Sequence, residues 1–434
     1  MRSTTATKLN DKKTINGWAM FDWANSAFAL VITAAIFPGY FTAVTDDNIP
    51  ILGQNMSNSA VYAMATAAAY FVITLFSPLL SGIADYGGKR KVFLRFFTTL
   101  GSLACLSLFF FEGMDQLSVG LLGYILSMIG FAGGLVFYNA YLPDIATEDQ
   151  YDRISAKGFA FGYFGSILLL CFNLLVILKP DLFGLPTEGT LPTRIAFLTV
   201  GFWWIGFAQF AFNRLPPDKD VPSEGNLAAK GMEELKKVWQ KVKVASNIKS
   251  FLGAFFFISA GAQTVIFLAA TFAEKELGFQ LEELITVILI LQIIGIGGAY
   301  FFAWLSEKKG NILALTTTAT IFIGICLTAY FVTVKWQFYV VAAFVGLVMG
   351  GVQSLSRATY SKLIPENTSD TTSFFSFYDV LEKIAIVTGT LSFGLIDQIT
   401  GGMRNSIVTL SIFFLLGIVF LSKVKISPKQ TAKL

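Results

Sequence analysis

Long apolar runs recur along the chain, separated by short polar breaks. A helix needs about 20 mostly apolar residues to cross the hydrocarbon core of a bilayer. Twelve stretches meet that length, at approximately 16–42, 59–83, 92–111, 117–142, 156–178, 194–213, 250–273, 284–305, 311–333, 336–361, 373–396 and 405–422. Most connections are short, as antiparallel neighbours require. The one long break, from Arg214 to about Lys249, separates six runs from six. The pattern predicts an all-α membrane protein of twelve transmembrane helices. Residues 1–213 form one six-helix lobe, 214–249 a cytoplasmic linker and 250–434 a second lobe.

Composition agrees. The chain is 54% hydrophobic and 14% charged, with mean hydropathy +0.64, whereas soluble domains average roughly 25% charged residues. The N-terminal stretch MRSTTATKLNDKKT lacks the apolar region of a signal peptide, so the first run is expected to be retained as a span. The net charge of +4 comes from loop lysines and does not point to nucleic acid. Histidine, the commonest metal ligand and neutral-pH proton carrier, is absent. The cysteines Cys105, Cys171 and Cys326 lie far apart in apolar runs. No metal site, cofactor or disulfide framework is expected.

Lysine and arginine set the orientation. With the N-terminus inside, all but six of the 32 fall on the cytoplasmic side or its flanks. Lys179, Arg194, Lys275, Lys335 and Arg404 fall outside, and Lys383 lies within a span. By the positive-inside rule both termini are cytoplasmic, and the short loops suit a bacterial cell membrane. The linker sequence AAKGMEELKKVWQKVK places Met232, Leu235, Val238, Trp239 and Val242 at helical spacing opposite lysines. It reads either as an amphipathic helix on the inner membrane surface or as a plain tether.

The halves repeat at an offset of 222 residues. Asp85 and Gly88 in SGIADYGGKRK correspond to Glu307 and Gly310 in AWLSEKKGN, and LPD at 142–144 corresponds to IPE at 364–366. Parallel six-span repeats resemble the major facilitator superfamily of two-lobed transporters. The stretch Asp85-Tyr-Gly-Gly88-Lys89-Arg90 resembles that superfamily's Asp–x–x–Gly–basic–basic signature, although Ser81 stands where its earlier glycine is usual. The resemblance implies a latch between the lobes, built from Asp85, Gly88, Lys89 and Arg90 with Glu307 and Gly310. The stretches GWAMFDWANSAFAL (17–30), 137–166 and 350–383 are similar to the vacuole-effluxer-like branch, whose fungal members are autophagy-related amino-acid exporters.

Polar groups inside the spans are costly and mark candidate sites. On the first span Trp18, Asp22, Asn25, Ser26 and Ala29 share one helical face, which must turn inward. Asp22 can bind cargo or a coupling ion, pair as a gate charge, or serve as a hydrated structural group. On the eleventh span Asp379, Glu382 and Lys383 follow Tyr378. Asp379 and Lys383 either simply neutralise each other at i,i+4 or, with two acids beside one lysine, leave a carboxylate that can serve proton coupling. The tenth span carries Gln353, Ser354, Ser356 and Arg357. The Arg357 guanidinium either faces the cavity, where it suits a carboxylate, or snorkels to the interface. Tyr138 and Asn139 on the fourth span occupy the comparable part of the first lobe. The resemblance implies that spans 1, 4, 7 and 10 line a cavity, which adds Gln263 on the seventh.

An acid at Asp22 opposite a base at Arg357 or Lys383 suits a zwitterion. The same charges also suit a gate that never touches cargo. The expected function is secondary transport by rocking lobes, moving a small polar metabolite, most simply amino acids by export, with proton or other ion coupling. A monomer in the bilayer is expected. Transport of another small organic solute, or a polytopic sensor, is the alternative. An enzyme is not expected, because the chain has no H-E-x-x-H, P-loop or nucleophile elbow.

Overall fold

The computed structural model describes residues 8–51, 53–219, 226–366, 368–400 and 402–426. Arg2, Lys429 and Lys433, which contribute to the charge asymmetry, lie outside them.

Asp11 caps the first helix, accepting hydrogen bonds from the Thr14 amide and hydroxyl at 2.9 Å each. The Thr14 amide, foremost, holds the Asp11 carboxyl below its ordinary pKa. Helix α1 (Lys12–Ala27) passes into a π-helical stretch, Phe28–Ile36, and then into α2 (Phe37–Val44). Pro38 has no N–H to continue the α ladder, and the Phe37 amide reaches the Ile32 carbonyl five residues back. One span therefore contains three helical segments. A small hairpin follows, β1 (Asn48–Ile51) with β2 (Gln54–Ser57), turning through Gly53 at φ +80°. The apolar pattern gave no sign of it.

The remaining helices are α3 (Asn58–Gly87), α4 (Arg90–Ser107), α5 (Leu117–Asn139), the short α6 (Leu142–Ile145), α7 (Tyr151–Leu178), α8 (Leu191–Arg214), α9 (Leu227–Val244), α10 (Ser246–Leu277), α11 (Leu281–Lys309), α12 (Asn311–Phe331), α13 (Lys335–Leu363), α14 (Thr371–Thr400) and α15 (Met403–Leu421). Among the described residues eleven helical stretches are long and apolar enough to cross a membrane. The expected eleventh span is a 30-residue helix, α14, but it is not among them. Asp379, Glu382, Lys383 and Asp397 interrupt its apolar run.

The chain divides into two compact units, one of residues 1–145 and 158–235, the other of residues 146–157 and 236–434. Helices α7 and α9 each start in one unit and finish in the other. Within the first unit α4 and α5 meet at Gly101 and Gly130, where an added Cβ on Gly130 would stand 2.4 Å from the Gly101 Cα. Within the second, a Cβ on Gly350 of α13 would stand 2.2 Å from the Gly295 carbonyl of α11. Small residues permit this backbone-to-backbone packing, which suits helices association in lipid. Large apolar side chains stay exposed, including Phe71, Leu122 and Phe202 in the first unit and Phe301, Leu391 and Ile399 in the second. Such surfaces belong against hydrocarbon.

Gly88 and Gly310, 222 residues apart, both sit at positive φ, +63° and +89°. Each ends a long helix, α3 and α11, where an L side chain would be strained. Of the bases placed outside by the charge reading, three are held by acids. Lys335 pairs with Glu283 at 2.6 Å, Arg404 with Glu276 at 2.8 Å and Arg194 with Glu112.

Candidate functional site

In the first unit the inward face of α1 meets the last turn of α5. Asp22 is only 3% exposed and accepts a hydrogen bond from the Tyr138 hydroxyl at 2.8 Å. Trp18 donates its indole N–H to the Tyr138 carbonyl at 3.1 Å and stacks on the Tyr138 ring with centroids 4.6 Å apart. Phe21 stacks on the same ring at 4.7 Å. The aromatic sandwich fixes the phenol so that its O–H points at the carboxylate. One turn further along the face, Asn25 is buried, and neither atom of its side-chain amide has a hydrogen-bond partner among the described residues. Leaving such a group unmatched costs about 1–3 kcal/mol. Ser26 points toward Gly162 of α7, and Asn139 is half-buried beside Tyr138.

The second unit holds two further clusters. Arg357 of α13 is 2% exposed; its Nε donates to the Ser155 hydroxyl at 2.9 Å, and a terminal nitrogen donates to the Ser155 carbonyl at 2.9 Å. Ser155 in turn donates to the Ser354 carbonyl at 2.7 Å. One turn nearer the start of α7, the 2%-exposed Asp152 receives Lys362 Nζ at 2.7 Å, the Ser306 hydroxyl at 2.9 Å and the Asn311 amide at 2.7 Å. Lys362 also donates to Asn311 Oδ1 at 2.8 Å. Ala156 completes the face against Ala299 and Ala303. Positions 152, 155 and 156 lie one turn apart on one side of α7, so the start of that helix is anchored by charge, hydrogen bonds and close packing together.

On α14 Lys383 Nζ lies 2.7 Å from Asp379 Oδ1 and 3.3 Å from Glu382 Oε2. Asp379 Oδ2 is buried without a hydrogen-bond partner among the described residues. Tyr378 stacks on Phe255 at 3.9 Å and on Tyr360 at 5.2 Å. Gln263 and Gln353 are half-buried on α10 and α13. The structure thus brings Asp22 together with Tyr138, Arg357 to Ser155, and Lys383 to Asp379 and Glu382.

The latch residues of the first unit are tied locally. Arg90 pairs with Asp144, lies 3.7 Å from Asp85, donates to the Ala140 carbonyl at 3.0 Å and sits over the Tyr141 ring. Lys89 precedes α4 and bonds the Ala84 carbonyl through its amide at 3.0 Å. Asp218 of the linker caps α4 through the Lys91 and Val92 amides at 2.6 and 3.1 Å, and the Lys219 amide reaches the Gly88 carbonyl at 2.9 Å. In the second unit Glu307 and Gly310 are exposed, and their neighbours Ser306 and Asn311 make the buried contacts instead. Asp152, Ser155, Asn311 and Lys362 were not marked by the sequence. Asp152 and Lys362 resemble ordinary helix-end charges, and their partners lie 51 to 210 residues away. Among the described residues no cluster of three or more His, Cys, Asp or Glu could hold a metal ion.

The fold is that of the major facilitator transporters. The fucose transporter FucP in its outward conformation aligns with 95% of this chain and 100% of its own, with TM-score 0.71 at 14% identity. The human organic anion transporter MFSD10 aligns with 95% and 100%, with TM-score 0.68 at 12% identity. Within that class, residues 10–433 match the family described as vacuole effluxer Atg22 like, and the chain belongs to this family. The MFS-type transporter YxiO of Bacillus subtilis is 29% identical over 418 residues, 96% of this chain and 95% of that protein. Autophagy-related protein 22 of Kluyveromyces lactis is 26% identical over 83% of this chain and 78% of its own length. The chain is a multi-pass membrane transporter of major-facilitator type, not an enzyme.

Proposed function

We propose that the protein exports amino acids, or another small zwitterion, by alternating access between its two six-helix halves. Asp22 receives the cargo ammonium, with Asn25 and Ser26 beside it, and Tyr138 and Asn139 complete that part of the site. Gln263, Gln353 and Tyr378 line the other half. Asp379, Glu382 and Lys383 form the coupling group, where a carboxylate next to a buried lysine can load and release a proton. Arg357 acts as a gate: its two-point hold on Ser155 must break before its guanidinium can reach a cargo carboxylate. Asp85, Gly88, Lys89 and Arg90, with Glu307 and Gly310, form a conformational latch. The halves rock about the 214–249 linker, the termini are cytoplasmic, and a monomer in the cell membrane is sufficient.

The observation that carries this reading is the pairing of a buried carboxylate at Asp22 with a buried, unmatched amide at Asn25 on one face of α1. A desolvated anion beside free amide donor and acceptor atoms is matched to a ligand bearing both an ammonium and hydrogen-bonding oxygens. Uptake of radiolabelled amino acids into inverted membrane vesicles, with and without a proton gradient, tests it. Gradient-dependent accumulation of at least one amino acid is expected. Flux of other small metabolites with none for any amino acid overturns the cargo assignment.

A further inference from the structure

The linker helix α9 turns the apolar face read from its sequence into the protein. Gly231 packs against Ile83, where an added Cβ would stand 2.8 Å from the Ile83 amide nitrogen, and Val238 and Val242 are buried. Leu235 is half-buried on the same line. This face is therefore not available to a membrane. The adjoining stripe, Met232, Lys236, Trp239 and Lys243, repeats at i, i+4, i+7 and i+11 and is exposed. Met232 and Trp239 show 40% and 45% of their surface.

Trp239 is placed at a defined level. Its ring stacks on Phe377 with centroids 5.4 Å apart, and Phe377 lies in the second turn of α14. Lys241, two residues on, bonds Asp370 at the start of that helix at 2.6 Å. The indole thus sits beside the first two turns of α14, and amphipathic rings favour the boundary between headgroups and acyl chains. Lys243 Nζ lies over the Trp239 ring, 5.1 Å from its centroid. The same device recurs at the ends of α11 and α15. Lys308 lies over the exposed Trp304 ring at 4.8 Å, and Lys423 over Phe420 at 5.1 Å. In each case the aromatic ring lies about one turn before the lysine, whose stem crosses it and carries the ammonium beyond. Long basic side chains at a membrane boundary adopt this form.

Charge selects the partner. Helix α9 carries Lys230, Lys236, Lys237, Lys241 and Lys243 against Glu233 and Glu234. Lys230 pairs with Glu233 and Lys241 with Asp370. Lys236 and Lys243 have no carboxylate partner among the described residues, and both lie on the exposed stripe. We propose that the Met232–Lys236–Trp239–Lys243 stripe docks on anionic phospholipid headgroups of the adjoining leaflet. The site is specific for the lipid: Met232 and the indole enter the acyl boundary while the two lysines meet phosphate. This proposal does not depend on what the protein carries.

The full-length protein in mixed-lipid nanodiscs, followed by native mass spectrometry, tests it. Phosphatidylglycerol should be retained over phosphatidylcholine, and the preference should fall roughly fivefold for each lysine removed in Lys236→Gln and Lys243→Gln. In vesicles, brominated phosphatidylglycerol should quench the wild type more than Trp239→Phe, a readout that needs no lysine variant to fold. Equal retention of the two lipids by the wild type overturns the proposal. So does an unchanged preference in the folded double variant, equal quenching of the wild type and Trp239→Phe, or displacement of the lipid by soluble glycerol phosphate.

Discussion

Lys362 and Asp152 lie 2.7 Å apart although 210 residues separate them in the chain, with Asp152 buried and a tenth of the Lys362 side chain exposed. The pair fastens the start of α7 to the end of α13, while Ser306 and Asn311 also donate to the carboxylate. A buried pair is stabilising relative to either charge alone more than relative to none.

Breaking that pair from one side should therefore cost more than removing it. Lys362→Met leaves Asp152 as an uncompensated buried anion and is expected to lower stability by about 3–5 kcal/mol. Adding Asp152→Asn should recover part of that loss, since the amide can still meet Ser306 and Asn311. Thermal unfolding of the single and double variants in detergent measures both; a double variant as unstable as the sum of the two singles contradicts the expectation.

Asp22 and Tyr138 make a charge-assisted hydrogen bond whose loss should be felt in function before folding. Tyr138→Phe keeps the ring stacked between Trp18 and Phe21 and removes only the O–H, a change worth about 1.5–3 kcal/mol. Reduced flux with near-normal expression is expected. Asp22→Asn should abolish transport with expression retained. Vesicle flux assays beside quantitative blots decide this, and wild-type flux in Asp22→Asn would remove the residue from the site.

Arg357 grips Ser155 through two nitrogens of different geometry. A lysine has the charge but not the planar fork, so Arg357→Lys should fail to restore function. Both Arg357→Ala and Arg357→Lys are expected to lose transport while the protein still reaches the membrane. Cysteine accessibility along the start of α7 should rise in both. Unchanged accessibility would show that the hold on Ser155 does not anchor that segment.

The α9 helix is anchored through Lys241 and Asp370, which gives a pH dependence of fixed sign. Burial alone would raise the Asp370 carboxyl, but hydrogen bonds from Lys241 and Ser369 and the lysine charge hold it below its ordinary value of 3.8. A depressed carboxylate contributes stability that is fully present above its unfolded pKa and is lost as pH falls through the lower folded one. Trapping of α9 on α14 by a pH-insensitive photoreactive residue at position 239 should be efficient near pH 7 and decline only below about pH 4. Asp370→Asn should give weaker trapping without that acid-side decline.

Much of this was legible along the chain because it depends on local pattern. Apolar length marked the spans, and the i, i+4, i+7 spacing of Trp18, Asp22 and Asn25 assigned the buried face of α1. The glycines at 88 and 310 marked two helix ends that need positive φ. The π-helical stretch was less legible, since Pro38 alone does not say how far the ladder must shift to absorb it. The hairpin at 48–57 carries no clear alternation. Helix α9 was readable as amphipathic but not as to which surface its apolar face would find.

The sequence by itself determined that costly charges inside long apolar helices had to turn away from lipid, because hydrocarbon cannot solvate them. It could not determine their partners. Tyr138 reaches Asp22 across 116 residues, Arg357 reaches Ser155 across 202, and Asp152 gathers donors from three other helices. Those matches depend on which helix ends pack side by side and at what height. The backbones settle both through small-residue contacts, such as Gly162 against α1 and Ala156 against Ala299 and Ala303, so only the tertiary structure could decide them.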